Sequence, residues 1–287
     1  MRIYAKRLFL LILIIISCCF IGCGGNDTIF DDGKPIIAVT IPPQATFVKA
    51  VCGDLANVIT TVPPGYSPES YEPTLAQRKA LSSSSLYFAI GVNAEGSILP
   101  LLTNTKIIPL HAEIAAMYPD ITFADGGRDP HVWLSIKRVS IMIDAIAREM
   151  CLLDSSNKQL YLNNAQSYKA LLNDTDAQLT TMLSVVKNKS FISFHPSFGY
   201  FADDYGLKMY SLEEEGKEAT AKHLQQMIDF AKQQNIKAVF YQKEIDSSQS
   251  IAFAEEIGGK TIQLEPLSED YTQNLIKMAE VISEVIK

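Results

Sequence analysis

The sequence predicts an α/β protein: two α/β lobes with mostly parallel sheets, joined by one long helix, with a cleft between them. Short β-branched apolar runs alternate with longer stretches of helical periodicity, the mark of strand–helix–strand units. The alternation breaks once, for an unbroken helical pattern over residues 154–187, and then resumes. At 287 residues the chain has length for about two domains of roughly 100–200 residues each. Its 47% hydrophobic and 20% charged content is that of a globular chain and excludes a disordered or fibrous one.

In chain order, the first segment stands outside that fold. Arg2, Lys6 and Arg7 open the chain, an apolar run covers residues 8–21, and Gly25-Asn26-Asp27 turns polar. The run falls short of the about 20 apolar residues that a spanning helix needs. A charged start, a short apolar stretch and small residues at its end read as an export signal. Phe20-Ile21-Gly22-Cys23 resembles the cleavage site of a bacterial lipoprotein, which implies loss of residues 1–22 and lipid on Cys23. Ile15-Ile16-Ser17-Cys18 fits the same pattern, but the apolar run continues past it; a plain signal peptide or an N-terminal anchor helix are the alternatives. Firm attachment needs two or more acyl chains, since each buried CH₂ contributes about 0.8 kcal/mol. Removing residues 1–22 removes three positive charges and no negative one, which takes the net charge from -7 to -10. Residues 23–35, rich in Gly, Asn and Asp, read as a tether.

The body then unfolds element by element. Ile36-Ile37-Ala38-Val39-Thr40-Ile41 is a strand stopped by Pro42-Pro43, followed by a helix over residues 45–52. Residues 58–62 and 86–90 are the next strands, ending at Pro63-Pro64-Gly65 and at Gly91. A helix over residues 136–153 carries Val139, Ile143 and Ile146 on one face. Asp154-Ser155-Ser156 supplies N-cap chemistry for the long helix, whose Tyr161, Ala165, Tyr168 and Leu172 recur at helical spacing. Roughly 33 residues at 1.5 Å each make a spine about 50 Å long. Strands at 190–194, 207–210, 238–241 and 261–264, with helices over 221–234, 248–257 and the C-terminal stretch, complete the second half. The divisions are an N-terminal lobe over 36–153, the connecting helix over 154–187 and a C-terminal lobe over 188–287. Ligands of such sheets sit beyond the carboxyl ends of the strands, hence in the cleft.

Four histidines are available for chemistry. His131 lies in Asp129-Pro130-His131-Val132-Trp133, and His195 in Phe194-His195-Pro196, just past a strand. Each alone reads more readily as a hydrogen-bonded structural histidine than as a ligand. Together, one per lobe and each beside a proline, they point to a metal site, for which neutral imidazole is the commonest ligand. Glu69, on the loop after Pro63-Pro64-Gly65, and Glu265, between Leu264 and Pro266, stand in similar settings. Two imidazoles and two carboxylates make a closed four-ligand site suited to Zn²⁺, with Mn²⁺ or Fe²⁺ as alternatives. His111 reads as structural, and His223 and the run Glu213-Glu214-Glu215 as solvated. Net negative charge argues against a nucleic-acid partner. The five cysteines show no zinc-ribbon spacing. Cys52 and Cys151, the two in the body, read as buried free thiols, although export permits a bridge between them.

At these residues the chain resembles the solute-binding lipoproteins of zinc and manganese ABC importers. Pro64-Gly65-Tyr66-Ser67-Pro68-Glu69 is similar to the family's first ligand loop, Asp129-Pro130-His131-Val132-Trp133-Leu134 to the second and Phe194-His195-Pro196-Ser197-Phe198-Gly199 to the third. Glu215-Gly216-Lys217-Glu218 and Glu265-Pro266-Leu267-Ser268 resemble later segments, the second of them holding the fourth ligand. The resemblance spans nearly all of residues 36–287. It implies a metal-binding cleft whose ligands are Glu69, His131, His195 and Glu265, with Zn²⁺, or alternatively Mn²⁺, as cargo. It also implies a cognate ABC permease as partner, a monomer without enzymatic activity, and an exported body lipid-anchored to a bacterial membrane. The family usually has histidine where Glu69 stands and aspartate where Glu265 stands. Zinc members often carry a His-rich loop before the second ligand, and residues 113–128 have no histidine; manganese members usually replace His195 by a carboxylate. A zinc-dependent hydrolase and a surface adhesion lipoprotein with a lapsed site are the competing readings. The hydrolase would need an open coordination position, and no HExxH motif is present.

Overall fold

The computed structural model describes residue 30 and residues 32–213, 219–245 and 248–286. The export signal, Cys18 and Cys23, and Glu215-Gly216-Lys217-Glu218 lie outside the described residues. From Lys34 onward the chain is one compact unit.

Two four-stranded, wholly parallel sheets organise it. The first comprises β1 (Ile36–Val39), β2 (Asn57–Thr60), β3 (Leu86–Ala89) and β4 (Lys106–Pro109) in the order β2-β1-β3-β4. The second comprises β5 (Ser190–Ser193), β6 (Lys208–Ser211), β7 (Ala238–Gln242) and β8 (Lys260–Leu264) in the equivalent order β6-β5-β7-β8. Place in the sheet explains composition. Central β1 and β3 are buried at every residue and read as continuous apolar runs, as parallel strands covered on both faces must. The edges β2, β4 and β6 mix polar and apolar side chains. Strand β4 is absent from the sequence reading because only Ile107 and Ile108 signal it, and its Pro109 is tolerated only because the strand is an edge.

Helix α1 (Pro42–Cys52) starts on the two prolines that were expected to lie ahead of it. Proline's fixed φ suits the first helical turn, whose N–H groups have no intrahelical partner. Gln44 Oε1 accepts from the Thr40 and Ile41 amides at 3.0 and 3.1 Å, and its Nε2 donates to Phe88 O at 2.9 Å, tying α1 to the end of β3. Short helices α2 (Leu75–Leu81), α3 (Glu95–Ile98) and α4 (Leu110–Ala115) precede α5 (Ile136–Leu153), which Ser135 caps by accepting from Arg138 N.

The long helix α6 (Lys158–Ser184) has 27 residues and so is about 40 Å long rather than 50. The expected cap does something else: Asp154 Oδ2 accepts from Asn157 Nδ2 at 2.7 Å and Tyr161 Oη at 2.8 Å, holding a 3₁₀ turn ahead of the helix. Helices α7 (Gly199–Asp204), α8 (Ala221–Gln233), α9 (Ser248–Glu256) and α10 (Tyr271–Val285) complete the second lobe. Helix α6 packs on α1, α5 and α10, so it leans on both lobes. One apolar core runs accordingly from Ile37 and Phe88 through Trp133, Tyr161 and Leu172 to Phe191, Phe240 and Leu275. Smaller clusters cover the outer faces of the two sheets.

The lobes are also latched by polar contacts. Buried Arg138 of α5 donates to Asp204 Oδ1 of α7 at 3.3 Å and lies 4.4 Å over the Tyr200 ring. Ser135 Oγ donates to the other Asp204 oxygen at 2.6 Å. Cys52 is buried and Cys151 half-buried, and both are free thiols. Among the described residues no helix is long and apolar enough to cross a membrane.

Candidate metal centre

In each sheet the chain reverses its winding between the two central strands, β1 and β3 in one and β5 and β7 in the other. Such switch points open a crevice at the carboxyl ends of the strands. Gly91 lies just past β3 and His195 just past β5, and both line one cavity of about 260 Å³ together with Glu69, His131 and Arg128.

His131 is oriented by its own neighbour. Asp129 Oδ1 accepts from His131 N at 2.9 Å and from Nδ1 at 2.7 Å, a closed local ring that the intervening proline favours. The loop is gripped from the second lobe: Trp133 Nε1 donates to Pro266 O at 2.9 Å, and Tyr271 Oη donates to Trp133 O at 2.7 Å. Gly199 permits the approach, since a Cβ there would lie 2.5 Å from Asp129 Oδ2.

His195 is held by a longer-range carboxylate. Its Nδ1 lies 2.6 Å from Glu213 Oε2, at the end of β6, and Glu213 N donates to Phe194 O at 2.9 Å. Glu213 is therefore not the solvated loop charge expected of it; its side chain is only 13% exposed. The rest of that acidic run lies outside the described residues. In both histidines Nδ1 donates to a carboxylate, which leaves the Nε2 lone pair for a cation. Such carboxylate–imidazole pairs fix the tautomer and raise the basicity of the ligand nitrogen.

Glu69 arrives on the loop after β2, where Gly65 adopts φ +86, a left-handed conformation that glycine accepts without strain. Ser67 Oγ accepts from Glu69 N at 3.3 Å, and Pro68 O accepts from Ala94 N at 3.0 Å, anchoring the loop to the start of α3. Glu69 Oε1 is buried and has no hydrogen-bond partner. One ligand atom from each of Glu69, His131 and His195 lies within 4.8 Å of the other two, and the two imidazoles meet at 77° with centroids 5.2 Å apart. A tetrahedral site with 2.1 Å bonds has edges of about 3.4 Å, so small side-chain rotations bring the three donors onto one cation. A carboxylate with an orphaned buried oxygen, clustered with two imidazoles, is the donor set of a divalent ion.

Glu265 is not brought to this cluster. It follows edge strand β8, its side chain is 41% exposed, and Lys243 Nζ lies 3.8 Å from Oε1. Its charge is felt instead by Glu244, whose carboxyl burial, and then Glu265, push upward. His111 stands apart from the cluster as well; burial first, and then Arg128, hold its pKa below the ordinary 6.5. His223 is not simply solvated: its Nε2 lies 3.1 Å from Ser211 O. The sequence reading missed Asp129 and Glu213 as partners of the imidazoles. The first had a signal, a carboxylate two residues before a histidine across a proline; the second had none.

Residues 37–285 match the model of the family described as zinc-uptake complex component A periplasmic. The zinc-binding lipoprotein AdcA of Streptococcus pneumoniae is 26% identical over 297 residues, covering 96% of this chain and 58% of AdcA, so the chain spans a little over half of that relative. The high-affinity zinc uptake system protein ZnuA of Bacillus subtilis is 26% identical over 282 residues, covering 89% of this chain and 88% of ZnuA. A crystal structure of ZnuA superposes with a TM-score of 0.83 at 35% identity, over 88% of this chain and all of the other. The chain belongs to the family of periplasmic zinc-uptake complex component A proteins.

Proposed function

We propose that this chain is the extracytoplasmic solute-binding component of an ABC importer, capturing Zn²⁺ between its lobes and delivering it to a membrane permease. The observation that carries the reading is the convergence of Glu69, His131 and His195, each contributed by a different loop at the carboxyl end of a sheet. Relatives named as zinc-binding and zinc-uptake proteins support Zn²⁺ as cargo; Mn²⁺ is the alternative, favoured by the carboxylate at position 69. The chain acts as a receptor rather than an enzyme, since the two carboxylates beside the imidazoles, Asp129 and Glu213, are engaged in orienting them and are not placed as a general base. Residues 1–22 serve as the export signal and residues 23–35 as the tether. Lipid on Cys23 keeps the monomeric body at the outer side of a bacterial membrane, beside its permease.

Metal analysis and titration calorimetry on the purified body test this. The wild type binds one Zn²⁺, His131→Ala binds far more weakly, and Glu69→Ala loses affinity as well. Undiminished binding by His131→Ala would remove the site.

A further inference from the structure

Gly91 lines the metal cavity, and all four main-chain polar groups of Ile90 and Gly91 are taken by two oppositely charged side chains. Glu95, the first residue of α3 and only 4% exposed, takes the amides. Its Oε1 accepts from Ile90 N at 2.7 Å and its Oε2 from Gly91 N at 2.8 Å. Thr40 Oγ1, just past β1, donates to the same Oε1. Arg128 takes the carbonyls: Nη2 donates to Gly91 O at 2.6 Å and to Ile90 O at 3.4 Å. Gly91 adopts φ +87, and a Cβ there would lie 2.2 Å from that nitrogen, so only glycine lets the guanidinium close over the turn.

Each ligand loop of the first lobe hangs on one end of this clamp. Pro68 O, beside Glu69, accepts at 3.0 Å from Ala94 N, beside Glu95. Asp129 O accepts from Arg128 Nη1 at 3.4 Å, and the same Asp129 orients the His131 ring. Neither clamp residue is a ligand: Glu95 has both oxygens engaged, and Arg128 is itself a cation.

We propose that Glu95 and Arg128 are positioning residues which, clamped across Ile90–Gly91, preset the spacing of Glu69 and His131 and thereby set the preference of the cleft for Zn²⁺ over Mn²⁺. The inference rests on the receptor reading and deepens it, from which side chains bind to what makes them selective. Zn²⁺ takes four ligands in a compact tetrahedron, whereas Mn²⁺ suits octahedral, oxygen-rich shells. Donors spaced before the ion arrives favour the compact shell. Spreading them for the other means breaking hydrogen bonds to main-chain groups at the cavity wall, each of them costly to leave unmade. Loosening the clamp therefore costs Zn²⁺ more than Mn²⁺.

The test is competition calorimetry with Zn²⁺ and Mn²⁺ on the whole exported chain, for wild type, Glu95→Gln, Arg128→Lys and Arg128→Gln. Co²⁺ absorption at saturation reports the shape of the bound shell. Glu95→Gln turns one acceptor into a donor that faces a main-chain N–H. Arg128→Lys keeps the charge but has no fork to span several carbonyls. Each variant is expected to narrow the ratio of Zn²⁺ to Mn²⁺ affinity by about tenfold or more, the scale seen for residues that hold metal ligands. Each is also expected to change the Co²⁺ spectrum of the saturated protein, which a loss of stability alone leaves as it was. Should Glu95→Gln not fold, Arg128→Lys decides alone. If Arg128 acted only by repelling the cation, Arg128→Lys would bind as the wild type does and Arg128→Gln more tightly; either result would overturn the proposal. So would an unchanged affinity ratio or Co²⁺ spectrum in Arg128→Lys, or a wild type that binds Mn²⁺ as tightly as Zn²⁺. A wild type that binds no Zn²⁺ would instead remove the receptor reading, and this proposal with it.

Discussion

His131 and His195, 64 positions apart in the chain, meet edge to face with ring centroids 5.2 Å apart, each with its Nδ1 turned onto a carboxylate. The carboxylates are unlike in origin. Asp129 is built into the same turn as its histidine, whereas Glu213 reaches His195 from the end of a neighbouring strand. Both leave Nε2 as the only ring nitrogen open to a cation.

Asp129→Asn and Glu213→Gln should therefore each lower Zn²⁺ affinity by about 10–100-fold without removing a ligand atom, because an amide orients the ring but does not raise its basicity. Calorimetry reads this directly. Wild-type affinity in both variants would mean that the pairs merely fill space.

Glu265→Gln should leave Zn²⁺ affinity within about twofold, since a half-exposed side chain paired 3.8 Å from an exposed lysine contributes little beyond surface electrostatics. A large loss would mean that the second lobe moves Glu265 onto the ion when it binds.

The latch between α5 and α7 makes a stability prediction. Arg138 and Asp204 have side chains only 3% and 6% exposed, and removing one partner of a buried pair typically costs about 3–5 kcal/mol. Arg138→Met should fall at the lower end, because Asp204 keeps Lys137 at 2.5 Å and Ser135 at 2.6 Å. Urea unfolding measures it; a change under about 1 kcal/mol would show that the latch is dispensable.

His111 makes a pH prediction. Burial and then Arg128 hold it below 6.5 in the folded chain, and its Nδ1 is buried without a partner. The unfolded chain thus takes up a proton at higher pH than the folded one. The stability linked to the neutral ring is present above the unfolded pKa and is lost as pH falls through the folded value. Melting temperature should drop on acidification from about pH 7 to 5, less steeply in His111→Gln. Parallel profiles for the two proteins would contradict this.

The α/β class and the two histidines were legible in the sequence because each is written locally. Central parallel strands must be continuous apolar runs, so residues 36–41 and 86–90 announce themselves. A proline next to a histidine restricts the backbone within a residue or two, so Asp129-Pro130-His131 and His195-Pro196 carry their own geometry. Glu69 was a weaker candidate on its loop alone; in the structure a carboxylate oxygen of it lies within 4.8 Å of a ring nitrogen of each imidazole.

What only the tertiary structure decided are relations between segments that share no local signal. Edge strand β4 forms because β3 offers it a ladder, not because Lys106-Ile107-Ile108-Pro109 demands one. Glu213 becomes the partner of His195 because β6 pairs with β5 and ends level with it, Ser193 opposite Ser211. Glu265 stays outside the cluster because β8 lies at the far edge of the second sheet, where Lys243 takes its charge. A sequence specifies what a few neighbouring residues do to one another through bonds and sterics. Which distant side chains share a cavity depends on how whole sheets stack to bury their apolar faces, and that burial is a property of the folded chain alone.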